Sequence, residues 1–344
     1  MSHEAVTYPL EVKEFEPEEM EEVYKRFVKA PPDTYVRVGP KGYVLFKGFL
    51  NDAPKIYNFS LRPDDIWIVT FPKSGTTWVQ ELVWMVANDC DYEGSDKTPL
   101  TTRFPFLEAS MFYNNKFGRD LAEEYSKSDD KQKQLLAAVY KRSNVDICDK
   151  KPSPRFIKTH LPLSLLPPAL LNTCKVVHVA RDPRDVAVSY YHHNTKTTDV
   201  GYKIEMKQLW NLFINDQLEW TPYFENVKES WAMRHHPNML FLFYEDLLKD
   251  LPSAVKQVAK FLGKTMTEEQ ISRLCTHLSF DNFKNNKSVN GQVLIEANYS
   301  TGNLFVNKGK SGAWREYFDE EMKLQATKWM EDNLRDSDLT FSNE

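Results

Sequence analysis

Short, continuous apolar runs mark the strongest elements of this chain. Residues 66–71 read IWIVTF, apolar and β-branched with no polar alternation. That is the pattern of a strand covered on both faces of a parallel sheet. The run passes directly into PKSGTT and then into WVQELVWMVA (78–87), where Trp78, Leu82, Met85 and Val86 recur at helical spacing. The pattern predicts strand, tight loop, helix, and it repeats. FIKT (156–159) reads as a strand end. KVVHVA (175–180) reads as a strand followed by a helix through about Tyr191, with Asp182 suited to the N-cap and Pro183 to the first helical position. MLFLFY (239–244) is another strand, followed by Glu245-Asp246 and more helix. Strands alternating with helices predict an α/β fold, three layers around a central, mostly parallel sheet.

The flanking regions are weaker. Residues 14–28 read as an acidic helix with Pro17 in its first turn, and a hairpin is expected around Pro40-Lys41-Gly42. Residues 1–54 are taken as an N-terminal arm of a single domain spanning 1–344. Residues 107–152 are polar and poorly patterned, and are expected to be a helical insertion rather than a core element. Their place between two candidate catalytic segments puts them near an acceptor site. Residues 319–333 form a helix with Met322, Ala326, Trp329 and Met330 on one face.

Composition narrows the function classes. Of 344 residues, 41% are hydrophobic and 27% charged, which suits a soluble globular chain and is too apolar for a disordered one. No apolar run approaches the roughly 18 residues of a membrane helix. The acidic start lacks a basic-then-apolar signal pattern, so a cytoplasmic protein is expected. The net charge of −5 argues against a nucleic-acid partner, so any bound anion should be small and met by local cations. Cys90, Cys148, Cys174 and Cys275 are dispersed with no CxxC pair, so neither a metal site nor a disulfide framework is expected.

Four features carry candidate chemistry, each beside a plainer alternative. Pro72-Lys73-Ser74-Gly75-Thr76-Thr77 offers backbone N–H groups, hydroxyls, a lysine and a helix N-terminus, together a small-anion site. It lacks the G-x-x-x-x-G-K-[ST] spacing of a Walker loop, and a turn with a solvated lysine is the alternative. Lys158-Thr159-His160 puts a cation and an imidazole at a strand end, where a histidine can act as general base or be merely structural. Arg181 and Ser189, eight residues apart, can share the cleft side of one helix, or Arg181 can be a surface ion pair. Asn307-Lys308-Gly309-Lys310-Ser311-Gly312 is a cationic glycine loop able to close over a phosphate, or an ordinary turn.

FPKSGTTW, FIKTHLPLSLLP, VVHVARDPRDVAVSYYHH, FLFYEDLLKD and NKGKSGAW, in this order over roughly residues 55–335, resemble the cytosolic sulfotransferases. The long N-terminal region and segments such as TPYFENVKESWAMRHHPNMLFLFYEDLLKDLP are most similar to the insect branch, which includes retinol dehydratase. The resemblance implies a fold like that of the P-loop nucleotide kinases. It also implies metal-free transfer of a sulfuryl group from 3′-phosphoadenosine 5′-phosphosulfate (PAPS) to a small hydrophobic hydroxyl compound such as a phenol, retinoid or steroid, leaving adenosine 3′,5′-bisphosphate.

Carried over by position, Lys73, Ser74, Gly75, Thr76 and Thr77 would hold the 5′-phosphosulfate, with Lys73 on the bridging oxygen. Lys158 would sit by the transferring group, and His160 would take the acceptor proton. Arg181, Ser189, Lys308 and Gly309 would bind the 3′-phosphate, while Trp78, Tyr244 and Phe280 would flank the adenine. The chain departs from the family at Asn307 and Ala313 in the closing loop, at Leu278, and in Arg315–Leu324, where the family's dimer motif is not reproduced. That dimer is therefore not expected. Phe104, Phe106, Phe112 and Tyr113 are candidates for the acceptor side, or for ordinary core packing. The competing readings are elimination through a transient sulfate, a nucleotide kinase with Asp246 as a metal ligand, and a non-catalytic carrier.

Overall fold

A computed structural model describes residues 8–28, 34–113, 116–129, 134, 137, 142–197, 201–289 and 309–341. Its frame is a parallel sheet of four strands: β4 (Ile66–Val69), β5 (Phe156–Thr159), β6 (Lys175–Ala180) and β7 (Met239–Phe243). Their spatial order is β5-β4-β6-β7. The first strand of this sheet thus lies inside it, with its successors on either side, and the order reverses at β4. Ligands of open α/β sheets bind beyond the strand ends at such a reversal.

The lack of alternation in β4 has a direct cause. Ile66 and Ile68 face a cluster with Val79, Leu82 and Val83 of the helix Thr76–Ala87 and Val255 and Val258 of the helix Leu251–Leu262. Trp67 and Val69 face the opposite cluster, with Ile157, Val176, Phe213 and Phe224. Both faces are covered, so neither can be polar. The ladder stops at Val69 and Phe243, slightly short of the apolar runs. Thr70 and Phe71 stay buried while turning into the loop, and Tyr244 opens the helix Tyr244–Lys249.

The predicted helix after β6 is Pro183–Lys196, with the Asp182 carboxylate accepting from Arg184 N–H at its start. The C-terminal helix is Glu320–Leu334, burying Met322 and Ala326. Among the described residues no helix is long and apolar enough to cross a membrane.

Both flanks contribute to the core. The N-terminal region packs on the main cluster. The helix Pro17–Arg26 and the hairpin β2 (Tyr35–Val38)–β3 (Tyr43–Phe46) form, and β1 (Val12–Glu14) adds an unforeseen antiparallel strand. Val36, Val38 and all of β3 are buried in the main cluster, which also holds Trp67 and Val69 of β4. The 107–152 segment is likewise not wholly an insertion. Leu107, Met111, Val145 and Cys148 lie in the same cluster, through a 3-10 turn (Ala109–Phe112) and a helix (Asn144–Lys150). Its polar helix Lys116–Ser126 obscured them in the sequence.

Candidate active site

The predicted site residues follow the carboxyl ends of the parallel strands. Lys73–Trp78 come after β4, Lys158 and His160 end β5, Arg181 follows β6, and Tyr244 follows β7. The loop after β4 is tightly shaped. Lys73 takes a left-handed conformation (φ 67°), uncommon for a side-chain-bearing residue, and Gly75 lies at φ 101°. A Cβ on Gly75 would stand 2.5 Å from Tyr244 Cδ2, so only glycine lets the tyrosine ring close on the loop. Thr76 opens the helix, its hydroxyl 2.7 Å from that of Thr70, and Thr77 is half-buried behind it. Trp78 meets Tyr244 edge-on at 5.7 Å and donates its indole N–H to Leu278 O at 2.9 Å.

Arg181 ties two loops together. Its guanidinium lies 4.4 Å from the Tyr244 ring centre and donates to Lys73 O (3.2 Å) and Lys310 O (3.0 Å). Gly309 sits at φ 62°, and a Cβ there would fall 2.2 Å from the Phe280 ring. The glycine loop therefore lies directly on Phe280. Ser189 is half-buried on the helix Pro183–Lys196. Lys308 lies outside the described residues.

His160 is buried, with its Nδ1 2.8 Å from Thr70 O. A carbonyl oxygen only accepts, so Nδ1 carries the hydrogen and Nε2 the lone pair. Burial, reinforced by the Lys158 charge, holds the imidazole well below the ordinary histidine range, so it is neutral at physiological pH. Burial, then the charges of Lys158, Arg181 and Lys196, push the Lys73 ammonium down to about 7. Lys73 Nζ is also 3.2 Å from His193 Nδ1. Lys158 Nζ lies 4.2 Å over the Phe106 ring, and burial lowers its pKa against the pull of Glu108.

Three cations thus bear on the Lys73 ammonium in a half-buried cleft, a costly arrangement unless an anion joins them. Two buried polar atoms beside them, Ser74 Oγ and Arg181 Nε, have no partner among the described residues. Both are donors that phosphate oxygens would satisfy, so the residues present fit a phosphorylated nucleotide.

Aromatic rings wall the other side of His160. Phe106 lies 5.1 Å and Trp220 5.5 Å from the imidazole, and Phe112 lies 5.8 Å from Trp220. Phe104, expected with them, packs instead on Phe156 at 5.1 Å in the cluster on the far face of the sheet. Phe104 closes the short helix Leu100–Arg103, whereas Phe106 pairs with Lys158, so the two rings belong to different local structures. Tyr113 donates its hydroxyl to Asn144 Oδ1 at 2.6 Å.

Sequence reasoning missed two carboxylates. Asp185, fully buried, accepts from the N–H groups of Gly312 (2.6 Å) and Trp314 (3.0 Å) and so anchors the glycine loop. Glu108, also buried, accepts from the His160 N–H (2.6 Å) and the Thr159 hydroxyl (2.8 Å). Their partners lie dozens of residues away, and no local pattern signals them.

The family model described as "Sulfotransferase domain" matches residues 63–338. Luciferin sulfotransferase of Photinus pyralis is 32% identical over 326 residues, 92% of this chain and 84% of that protein. Sulfotransferase 1B1 of Mus musculus is 34% identical over 279 residues, 80% of this chain and 85% of that one. Among solved structures, retinol dehydratase in complex with androsterone and inactive cofactor PAP is similar at 45% identity and TM-score 0.90, over 98% of this chain and 99% of that one. Retinol dehydratase with retinol and PAP is similar at 44% and 0.89, over 97% and 99%. PAP is the desulfated product of PAPS. The chain belongs to the sulfotransferase family and is a PAPS-dependent transferase.

Proposed function

We propose that this protein transfers the PAPS sulfuryl group in line to the hydroxyl of a small hydrophobic acceptor, with His160 as general base. The observation that carries this reading is a neutral imidazole, its Nδ1 committed to Thr70 O, set among aromatic rings beside Lys158 and Lys73. PAPS, when bound, supplies the sulfuryl group. Lys73, Ser74, Gly75, Thr76 and Thr77 hold the phosphosulfate end at a helix N-terminus. Arg181, Ser189, Lys308 and Gly309 take the 3′-phosphate, and Trp78, Tyr244 and Phe280 frame the adenine. Lys73 and Lys158 offer positive charge where negative charge develops as the bond to the leaving oxygen breaks, which favours the transition state over the ground state. An acceptor phenol has a pKa of about 10, so a base at Nε2 is useful at neutral pH. The rings of Phe106, Phe112 and Trp220 support a flat, apolar acceptor.

Labelled PAPS, screened against phenols, retinoids and steroids with His160→Ala and Lys73→Ala, tests this. Each variant is expected to lose about 10²–10⁴-fold in turnover while staying folded. Near-normal turnover by His160→Ala would overturn the base assignment, and strictly magnesium-dependent ATP turnover would revive a kinase.

A second reading is elimination through a transient sulfate, favoured by the 45% identity to retinol dehydratase over nearly the whole chain. The product of retinol and PAPS separates the two: a stable sulfate ester for simple transfer, an anhydro compound for elimination.

A further inference from the structure

We infer that Glu108 is a positioning residue for the transfer: its carboxylate clamps the turn that carries Lys158 and His160 out of β5, and its charge faces Lys158. The inference rests on the roles proposed above for those two side chains.

The segment before Glu108 runs along the open edge of the sheet. Lys158 N–H donates to Pro105 O at 3.0 Å, and Leu107 N–H donates to Lys158 O at 2.8 Å. This pairing brings Glu108 level with the end of β5. One carboxylate oxygen then accepts the His160 N–H at 2.6 Å and the other the Thr159 hydroxyl at 2.8 Å. The Thr159 oxygen in turn accepts the Leu161 N–H at 3.1 Å. Two successive residues therefore hang directly from one carboxylate and a third through Thr159, while Asn226 Nδ2 donates to the His160 carbonyl at 3.3 Å. Phe106, on the same segment, touches both Lys158 and the imidazole.

A neutral acceptor could meet these donors one at a time. A carboxylate meets both and also supplies a negative charge to a cluster otherwise made of cations. Glu108 is only 1% exposed, where an unpaired carboxylate is strongly disfavoured. Core packing alone would favour an apolar side chain there. Burial, the largest effect, raises Glu108 to about 7 against the pull of its hydrogen-bond donors and of Lys158, so it is ionised on the alkaline side of neutrality, where it in turn raises Lys158. The other titratable groups that interact with this pair are Lys73, His160 and the Cys148 thiol.

The test compares Glu108→Gln, Glu108→Asp and Thr159→Val with the unsubstituted enzyme. It reads kcat, KM for PAPS, the pH profile of kcat, and the ring nitrogen NMR signals of His160 in the free protein. Glu108→Gln is expected to lower kcat about 10–100-fold with little change in KM, as a small misplacement of reacting groups does. Its alkaline limb should move to lower pH, because Lys158 loses the carboxylate that keeps it protonated, and the His160 signals should shift. Thr159→Val keeps the charge and removes one donor, so kcat falls and the limb stays. Glu108→Asp returns the limb toward its original place.

Unchanged kcat and pH profile in folded Glu108→Gln overturn the inference, as does a fall in kcat with neither the limb nor the His160 signals moved. If Glu108→Gln does not fold, unchanged kcat in both Thr159→Val and Glu108→Asp overturns it. His160→Ala in parallel keeps the two readings apart. Normal turnover there removes the base itself, whereas an inactive His160→Ala beside a normal Glu108→Gln removes only the clamp.

Discussion

Lys73 combines a left-handed backbone, a buried ammonium and three neighbouring cations. Burial is the largest of these effects on its pKa, which stands near 7 in the free protein, so at pH 8 the side chain is mostly neutral. In the proposed site a bound bisphosphate would place anionic oxygens beside it and raise that pKa toward the ordinary lysine value. The sign follows: below pH 7 Lys73 is already charged and binding takes up no proton there, and above pH 7 binding takes one up. Affinity for adenosine 3′,5′-bisphosphate should therefore fall as pH rises through about 7, by at most tenfold per pH unit. Titration calorimetry at pH 8 in buffers of different ionisation enthalpy should show proton uptake that falls in Lys73→Met, the remainder belonging to Lys158, which burial lowers to about 8. Undiminished uptake in the variant would assign the proton elsewhere. His160 does not compete for this role, because burial keeps it neutral far below that range.

The loops between elements bring the charges together. Arg181 donates to the carbonyls of Lys73 and Lys310, and Asp185 accepts from Gly312 and Trp314, so the β4 loop and the glycine loop are joined through the start of one helix. Gly309 is the tightest point. Gly309→Ala puts a Cβ at a positive φ and 2.2 Å from Phe280, so the loop must retreat. A strain of about 1–3 kcal/mol predicts bisphosphate binding weakened about tenfold or more, with little change in thermal midpoint because the loop is peripheral to both cores. Equilibrium binding checks this, and unaltered affinity would show that the loop does not touch the nucleotide. The β4, β5 and β6 segments and their loops were legible because each apolar run is bounded by turn residues. Asp185 was not, since an acid in a helix's first turn already has a local explanation in the helix dipole.

Across the whole molecule, the N-terminal sheet supports the aromatic wall beside His160. Trp220 N–H donates to Val44 O at 2.7 Å, and Val44 N–H donates to Thr221 O at 2.9 Å. Glu219, beside it, accepts the hydroxyls of Tyr35, Tyr190 and Tyr202 from three separate segments. These contacts hold Trp220 at φ 66° with its indole against His160 and Phe112. Trp220→Ala should shift relative kcat/KM toward bulkier acceptors by about tenfold and leave bisphosphate affinity unchanged. A series of phenols of increasing size measures the first, and equilibrium binding the second. The burial of the N-terminal arm was not legible for a physical reason: β2 and β3 are short and bounded by turn residues, yet their side chains lie in the cluster that holds one face of the parallel sheet. The net charge of −5 likewise says little about the site, where Lys73, Lys158, Arg181 and Lys196 cluster locally.

Local sequence was sufficient for the α/β alternation, for the tight glycine-bearing loop after the first parallel strand, and for the family through motifs of contiguous residues. Those features depend on apolar period, turn chemistry and helix capping, which act between near neighbours in the chain. The clamp of Glu108 on β5, the anchoring of the glycine loop by Asp185, the tautomer of His160 and the aromatic wall at Trp220 were decided only by the tertiary structure. Each depends on hydrogen bonds or ring contacts between residues 50 or more positions apart, and on the burial that sets their charge, neither of which is encoded in any one stretch of the chain.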